Sequence, residues 1–371
     1  MDTPRCFPQS LLLVVFNACL VAGQPSVTGS PHQRTIIAQV DERVELLSIV
    51  FRLAGNQEYS GRHLKSYVEA IHRHFAPYRS HPVVLLAEKL ARERGVGFDA
   101  VMAMAVHLQP PPSLQPILPF TEQVPETRWG AEQAAQFSTL LQQFYREADC
   151  EAFFKQHQRL YQVAATRFAL VLEQVNFSWY QDFYGQIPEG SFRAIIGLGN
   201  GGGNYGPKVI LADGKEELYA IMGTWRSDSL GLPVYESTHV LPTIIHEFNH
   251  SFVNPLIDEH ATQLQPAGSR LFLPVSGQMR AMAYGSWQTM LCEALVRAAV
   301  IAYLERHERD LSVSQNALKQ EIKSGFWWMG ELVNLVRMYQ QDRRKYPTLK
   351  IFMPQVVHFY SQLASKVKNQ K

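Results

Sequence analysis

The sequence predicts an α+β fold that is predominantly helical, with one small sheet ahead of a helical C-terminal part. Three observations carry this reading. Apolar residues recur at helical spacing from Val44 onward, as Leu46, Leu47, Val50, Phe51 and Ala54. Short runs rich in β-branched residues then occupy 192–197, 208–212 and 218–222. From about 240 the helical pattern returns and holds to the end.

The elements follow in order. The first helix begins near Val44, and Gly55 is its natural stop. Further helical stretches cover 62–76, 82–94 and 97–108. Pro110, Pro111 and Pro112, with the prolines up to Pro125, break the pattern as a linker or a long ordered loop. Helical character resumes from Ala131 through about Gln174. Residues 199–204, Gly-Asn-Gly-Gly-Gly-Asn, connect the first two strands and read as a hairpin loop. Gly197, Gly199 and Gly202 match a dinucleotide fingerprint in spacing. That fingerprint needs a helix to follow, and Pro207 and a strand follow instead. The expected division is a leader at 1–23, a helical N-terminal region at 24–180 and a second region at 181–371.

Composition excludes some classes. The 371 residues carry a net charge of +2, and 46% are hydrophobic, enough for a sizeable core without the basic excess of a nucleic-acid binder. The triplet Arg343-Arg344-Lys345 reads as a solvated helix end. Residues 11–16 open an apolar stretch running to Ala22, with Arg5 before it and small residues ahead of Gln24. This is the pattern of a secretory signal, and it predicts an exported protein, periplasmic or secreted. No later segment reaches the roughly 18 apolar residues of a spanning helix, so no stable membrane insertion is expected. Two of the four cysteines lie in that leader. The other two, Cys150 and Cys292, do not make a disulfide scaffold, and Cys292 reads as a small buried hydrophobe.

Residues 246–250 read His-Glu-Phe-Asn-His. Two His at i and i+4 share one helix face and reach one metal ion, and Glu247 between them is placed to act on water there. Pro242 suits a first turn, Ile244, Ile245, Phe248 and Phe252 anchor the helix, and Pro255 marks its end, giving about three turns. A catalytic zinc site takes three protein ligands and keeps one position open. The short-spaced third His is absent, because Val253 and Leu256 stand at the relevant positions. His260 is one remaining candidate. Glu293 is the better one, since it lies in a run that is apolar nearly all round, 290–301, and a buried carboxylate needs a partner or a metal. Arg297, one turn on, is placed to pair with Glu293 and orient it.

Two His from one helix and a Glu from a second resemble the gluzincin class of zinc peptidases. More closely, the chain resembles a bacterial family of exported, peptidase-like proteins catalogued as a domain of unknown function. The segments Val-Glu-Leu-Leu-Ser-Ile-Val-Phe-Arg-Leu-Ala-Gly at 44–55, His-Glu-Phe-Asn-His-Ser-Phe-Val-Asn-Pro at 246–255 and Tyr-Gly-Ser-Trp-Gln-Thr-Met-Leu-Cys-Glu-Ala-Leu-Val-Arg-Ala-Ala-Val at 284–300 carry the resemblance. It implies a zincin-like catalytic core.

The chemistry expected is peptide-bond hydrolysis with Zn²⁺ as the default cofactor. Glu247 is the general base, His246, His250 and Glu293 are the metal ligands, and Arg297 supports them from behind. Tyr284, then His239, are the candidate donors to an oxyanion. The partner is a peptide or protein substrate, for which the sheet offers an edge strand. The alternatives are a zinc amidase acting on cell-wall peptides or glycopeptides, and a non-catalytic binding protein that keeps the fold. Asn249 and Asn176 match the glycosylation pattern, and at Asn249 the match is accidental if the site is real.

Overall fold

A computed structural model describes residues 36–185 and 191–367. The leader at 1–23 lies outside the described residues. Residues Arg34–Lys371 form one compact unit. It opens with β1 (Ala38–Val40) and α1 (Glu42–Leu53). Asp41 caps α1 by accepting from the Arg43 amide, and Gly55 ends it at φ 86°. Four elements already expected from periodicity follow, α2 (Lys65–Phe75), α3 (Pro82–Arg94), α4 (Phe98–His107) and, after an ordered proline-rich loop, α5 (Ala131–Glu147).

The helical stretch to about Gln174 is made of two helices. Asp149 takes a left-handed conformation (φ 45°) and separates α5 from α6 (Cys150–Leu172). A seven-residue helix, α7 (Ser178–Tyr184), leads to the sheet. Its strands are β2 (Ser191–Gly197), β3 (Lys208–Ile210) and β4 (Glu216–Gly223), in the order β1-β2-β4-β3. β1, β2 and β4 run parallel, and β3 is an antiparallel edge. A small ribbon of β5 (Arg226–Ser227) and β6 (Pro233–Val234) follows.

This topology corrects the reading of 199–204. β2 and β3 are not neighbours, so the glycine-rich loop is no hairpin turn. The hairpin is β3–β4, closed at Asp213-Gly214, with Gly214 at φ 80°. The loop's glycines serve a close approach instead. A Cβ on Gly201 would lie 1.9 Å from the Glu58 carbonyl oxygen.

Six helices complete the unit: α8 (Ser237–Glu259), α9 (Ala261–Ala281), α10 (Trp287–His307), α11 (Leu311–Lys323), α12 (Met329–Gln341) and α13 (Leu349–Lys366). α8 packs on β4 and on α10. It is longer than three turns: both Pro242 and Pro255 lie inside its 23 residues. Proline removes one N–H from the ladder and crowds one carbonyl, a cost of about 3 kcal/mol or more in a helix interior. Here Val240 and Leu241 upstream and Leu256 and Ile257 downstream are buried, and that burial carries the helix through both prolines. α10 is buried almost along its whole length, as its apolar run predicts. No helix among the described residues is long and apolar enough to cross a membrane.

Candidate metal centre

α8 and α10 lie side by side, and this brings the two sequence motifs together. His246 and His250 present their Nε2 atoms to one spot, 3.1 Å apart. Glu293 reaches the same spot from α10, with Oε2 3.4 Å from His246 Nε2 and Oε1 3.4 Å from His250 Nε2. Four-coordinate zinc with ligand bonds near 2.0–2.1 Å needs donors separated by about 3.3 Å. The triangle fits that requirement without rearrangement. Among the described residues, these three form a group that could hold a metal ion.

The protonation states suit a cation. Burial pushes the His246 imidazole down to about 3, against the opposing pull of Glu293, so it is the neutral form that binds metals. Burial works against ionising Glu293, but the two imidazoles, Arg297 and the Tyr284 hydroxyl outweigh it and hold the carboxyl below its ordinary range. Glu247 is buried beside them. Burial, and then repulsion from Glu293, push its carboxyl well up, in the direction that makes a carboxylate basic.

Behind the three grouped residues stands a charged network. Arg297 donates to Glu293 Oε2 at 3.2 Å, to the Tyr284 hydroxyl at 2.7 Å, and through Nη1 to both oxygens of Glu321 at 2.9 and 2.8 Å. The expected Glu293–Arg297 pair is therefore present. Glu321, 24 residues further along, carries no motif that would have named it. Asn254 is the other group missed: its side-chain oxygen accepts from His250 Nδ1 at 3.1 Å, which turns Nε2 toward the metal position. It sits one helical turn after His250, and the i, i+4 spacing was the available signal. Asn254→Ala is expected to weaken zinc binding about 10–100-fold, measurable by competition with a chromogenic chelator.

Tyr284 follows Ala283, a non-glycine residue at φ 68° that turns the chain from α9 toward the cleft. Burial, then the Glu293 charge, raise the Tyr284 phenol, so it stays protonated. It accepts from Arg297. His239 lines the same cleft but is exposed beside Glu236. His260 stands apart: its Nδ1 bonds the Leu256 carbonyl, and it is not one of the three grouped ligands. Asn249 is fully buried, which leaves no room for a glycan.

The centre opens into a cleft of about 1890 Å³. Its walls include α8, α10, α11 and residues 203–208, which run into the edge strand β3. Tyr205 exchanges both backbone bonds with Ile221, and Pro207 accepts from Tyr219. Alternate residues thus face β4, leaving the N–H and C=O of Gly206 on the opposite side. Gly206 is pressed against α8, since a Cβ there would lie 2.3 Å from the Glu247 carbonyl oxygen.

No curated protein and no solved structure matches the chain. The family described as Domain of unknown function (DUF4932) matches residues 36–359, and the chain belongs to that family.

Proposed function

We propose that this protein is a zinc-dependent hydrolase that cleaves peptide bonds, of gluzincin type, acting after export to the periplasm or the exterior. The observation that carries the reading is the His246–His250–Glu293 triangle with Glu247 buried beside it. His246, His250 and Glu293 hold the ion and leave a fourth position toward the cleft. Bound zinc supplies a Lewis acid that polarises a carbonyl and lowers the pKa of water toward neutrality.

The chain's own residues do the rest. Glu247 takes a proton from water and returns it to the leaving amine. Arg297 and Asn254 keep Glu293 and His250 aimed. Tyr284 and His239 are the donors available to a developing oxyanion. The cleft exceeds the roughly 300–1,000 Å³ of an ordinary small-molecule pocket, which favours a polymer substrate. An extended peptide laid against 203–208 would find the free backbone groups of Gly206.

The test is cleavage of a mixed peptide library by the zinc-loaded chain, read by mass spectrometry. New peptide termini that vanish with a chelator and return with zinc are expected. Stoichiometric zinc with no new termini would move the reading to a binding protein that keeps the fold.

A further inference from the structure

The segment 44–55, one of the stretches by which the family resemblance is drawn, contributes nothing to the metal centre. It nevertheless places two charged side chains in the interior. Glu45 and Arg52 are seven residues apart on α1, two helical turns, and so share a face. Both are buried. Charged groups do not enter a core without partners, and here the partners are the backbone of the glycine-rich loop. Glu45 accepts from the Leu198 amide at 2.7 Å and from the Gly199 amide at 3.0 Å, and Tyr67 donates to it at 2.9 Å. Arg52 donates to the Gly199 carbonyl at 3.2 Å and to the Gly61 carbonyl at 2.8 Å. The residue Gly199 is thus gripped at both its N–H and its C=O by one helix.

From that grip the loop is braced toward the cleft. Asn200 accepts from the Gly202 amide and donates to the Gly203 carbonyl at 2.8 Å, and Trp225 donates to the Gly202 carbonyl at 2.8 Å. Asn204 accepts from the Gly223 amide at 3.0 Å. The braced chain then becomes the cleft edge, where Gly206 abuts the backbone of Glu247.

We infer that Glu45 and Arg52 are positioning residues: by clamping Gly199 they set the placement of the edge 203–208 along the metal cleft. The inference rests on reading 203–208 as the edge a substrate lies against, but its first readouts need no substrate. The clamp ties α1, some 190 residues before His246 in the chain, to the cleft: it holds the loop that lines it.

The test compares amide hydrogen exchange and zinc affinity in three variants of the full chain. Glu45→Gln removes an acceptor without changing shape. Gly201→Ala pushes the loop off the Glu58 carbonyl from the other side. Leu47→Ala is a control that opens the core on the same helix. In the first two, exchange at 198–208 is expected to rise about tenfold or more, while α8 and α10 keep their protection and zinc affinity moves less than about threefold. If peptide hydrolysis is present, KM rises in both with kcat nearly kept. Unchanged exchange at 203–208 would overturn the inference. So would a rise spread evenly over the chain as in Leu47→Ala, or failure of both variants to fold, since each marks a role in global stability alone. Loss of hydrolysis as a property of the wild type would leave the exchange result standing, so the two failures are distinguishable.

Discussion

Glu247→Gln is expected to keep the zinc and lose hydrolysis by roughly 10²–10⁴-fold, the usual worth of a general base. The two side chains have the same shape, so the buried position beside His246 accepts the change. Glu247 is not among the three grouped ligands, and the metal site is untouched. What is lost is a carboxylate whose basicity burial and the Glu293 charge have raised. Metal content and initial rate, measured on the same preparation, check this. A variant as active as the wild type would move the base elsewhere in the cleft.

The second large effect concerns Arg297. Arg297→Ala is expected to destabilise the metal-free chain by roughly 3 kcal/mol, because it strands partners that the guanidinium satisfied. Glu293 and Glu321 are both mostly buried, and each would lose its cation. Zinc offsets part of that loss by countering the Glu293 charge, so the penalty shrinks when the site is loaded. Urea denaturation with and without zinc checks both parts. Arg297→Lys is not expected to rescue the chain, since one ammonium cannot replace a fork that reaches three side chains. Equal stability losses with and without zinc would mean that Arg297 acts independently of the site.

The grouping of His246, His250 and Glu293 was legible because each rests on a local rule. His246 and His250 follow from helical spacing, and Glu293 from the cost of a carboxylate in an all-apolar helix. Arg297 follows from the same one-turn spacing. Glu321 was not legible, since it joins Arg297 only through the packing of α11 against α10. Glu45 was hidden for a related reason: its partners are backbone amides more than 150 residues away, and backbone amides leave no mark in a sequence.

The misread elements show where local rules yield. Pro255 is a helix stop by propensity, yet buried Leu256 and Ile257 carry α8 past it. The glycines of 199–204 resembled a turn, while the true hairpin lay at Asp213-Gly214, a stronger signal for a two-stranded ribbon. Glycine marks both a tight turn and a close backbone contact, and only the neighbouring segment at 58–61 decides between them.

The proposed function stands on His246, His250 and Glu293 holding a metal ion. The measurement is bound metal in the purified chain, by mass spectrometry of the elements, beside His246→Ala and Glu293→Ala. About one zinc per chain, lost from both variants, is expected. A chain that takes up no stoichiometric divalent metal when zinc is supplied, or a Glu293→Ala variant that retains it, would contradict it.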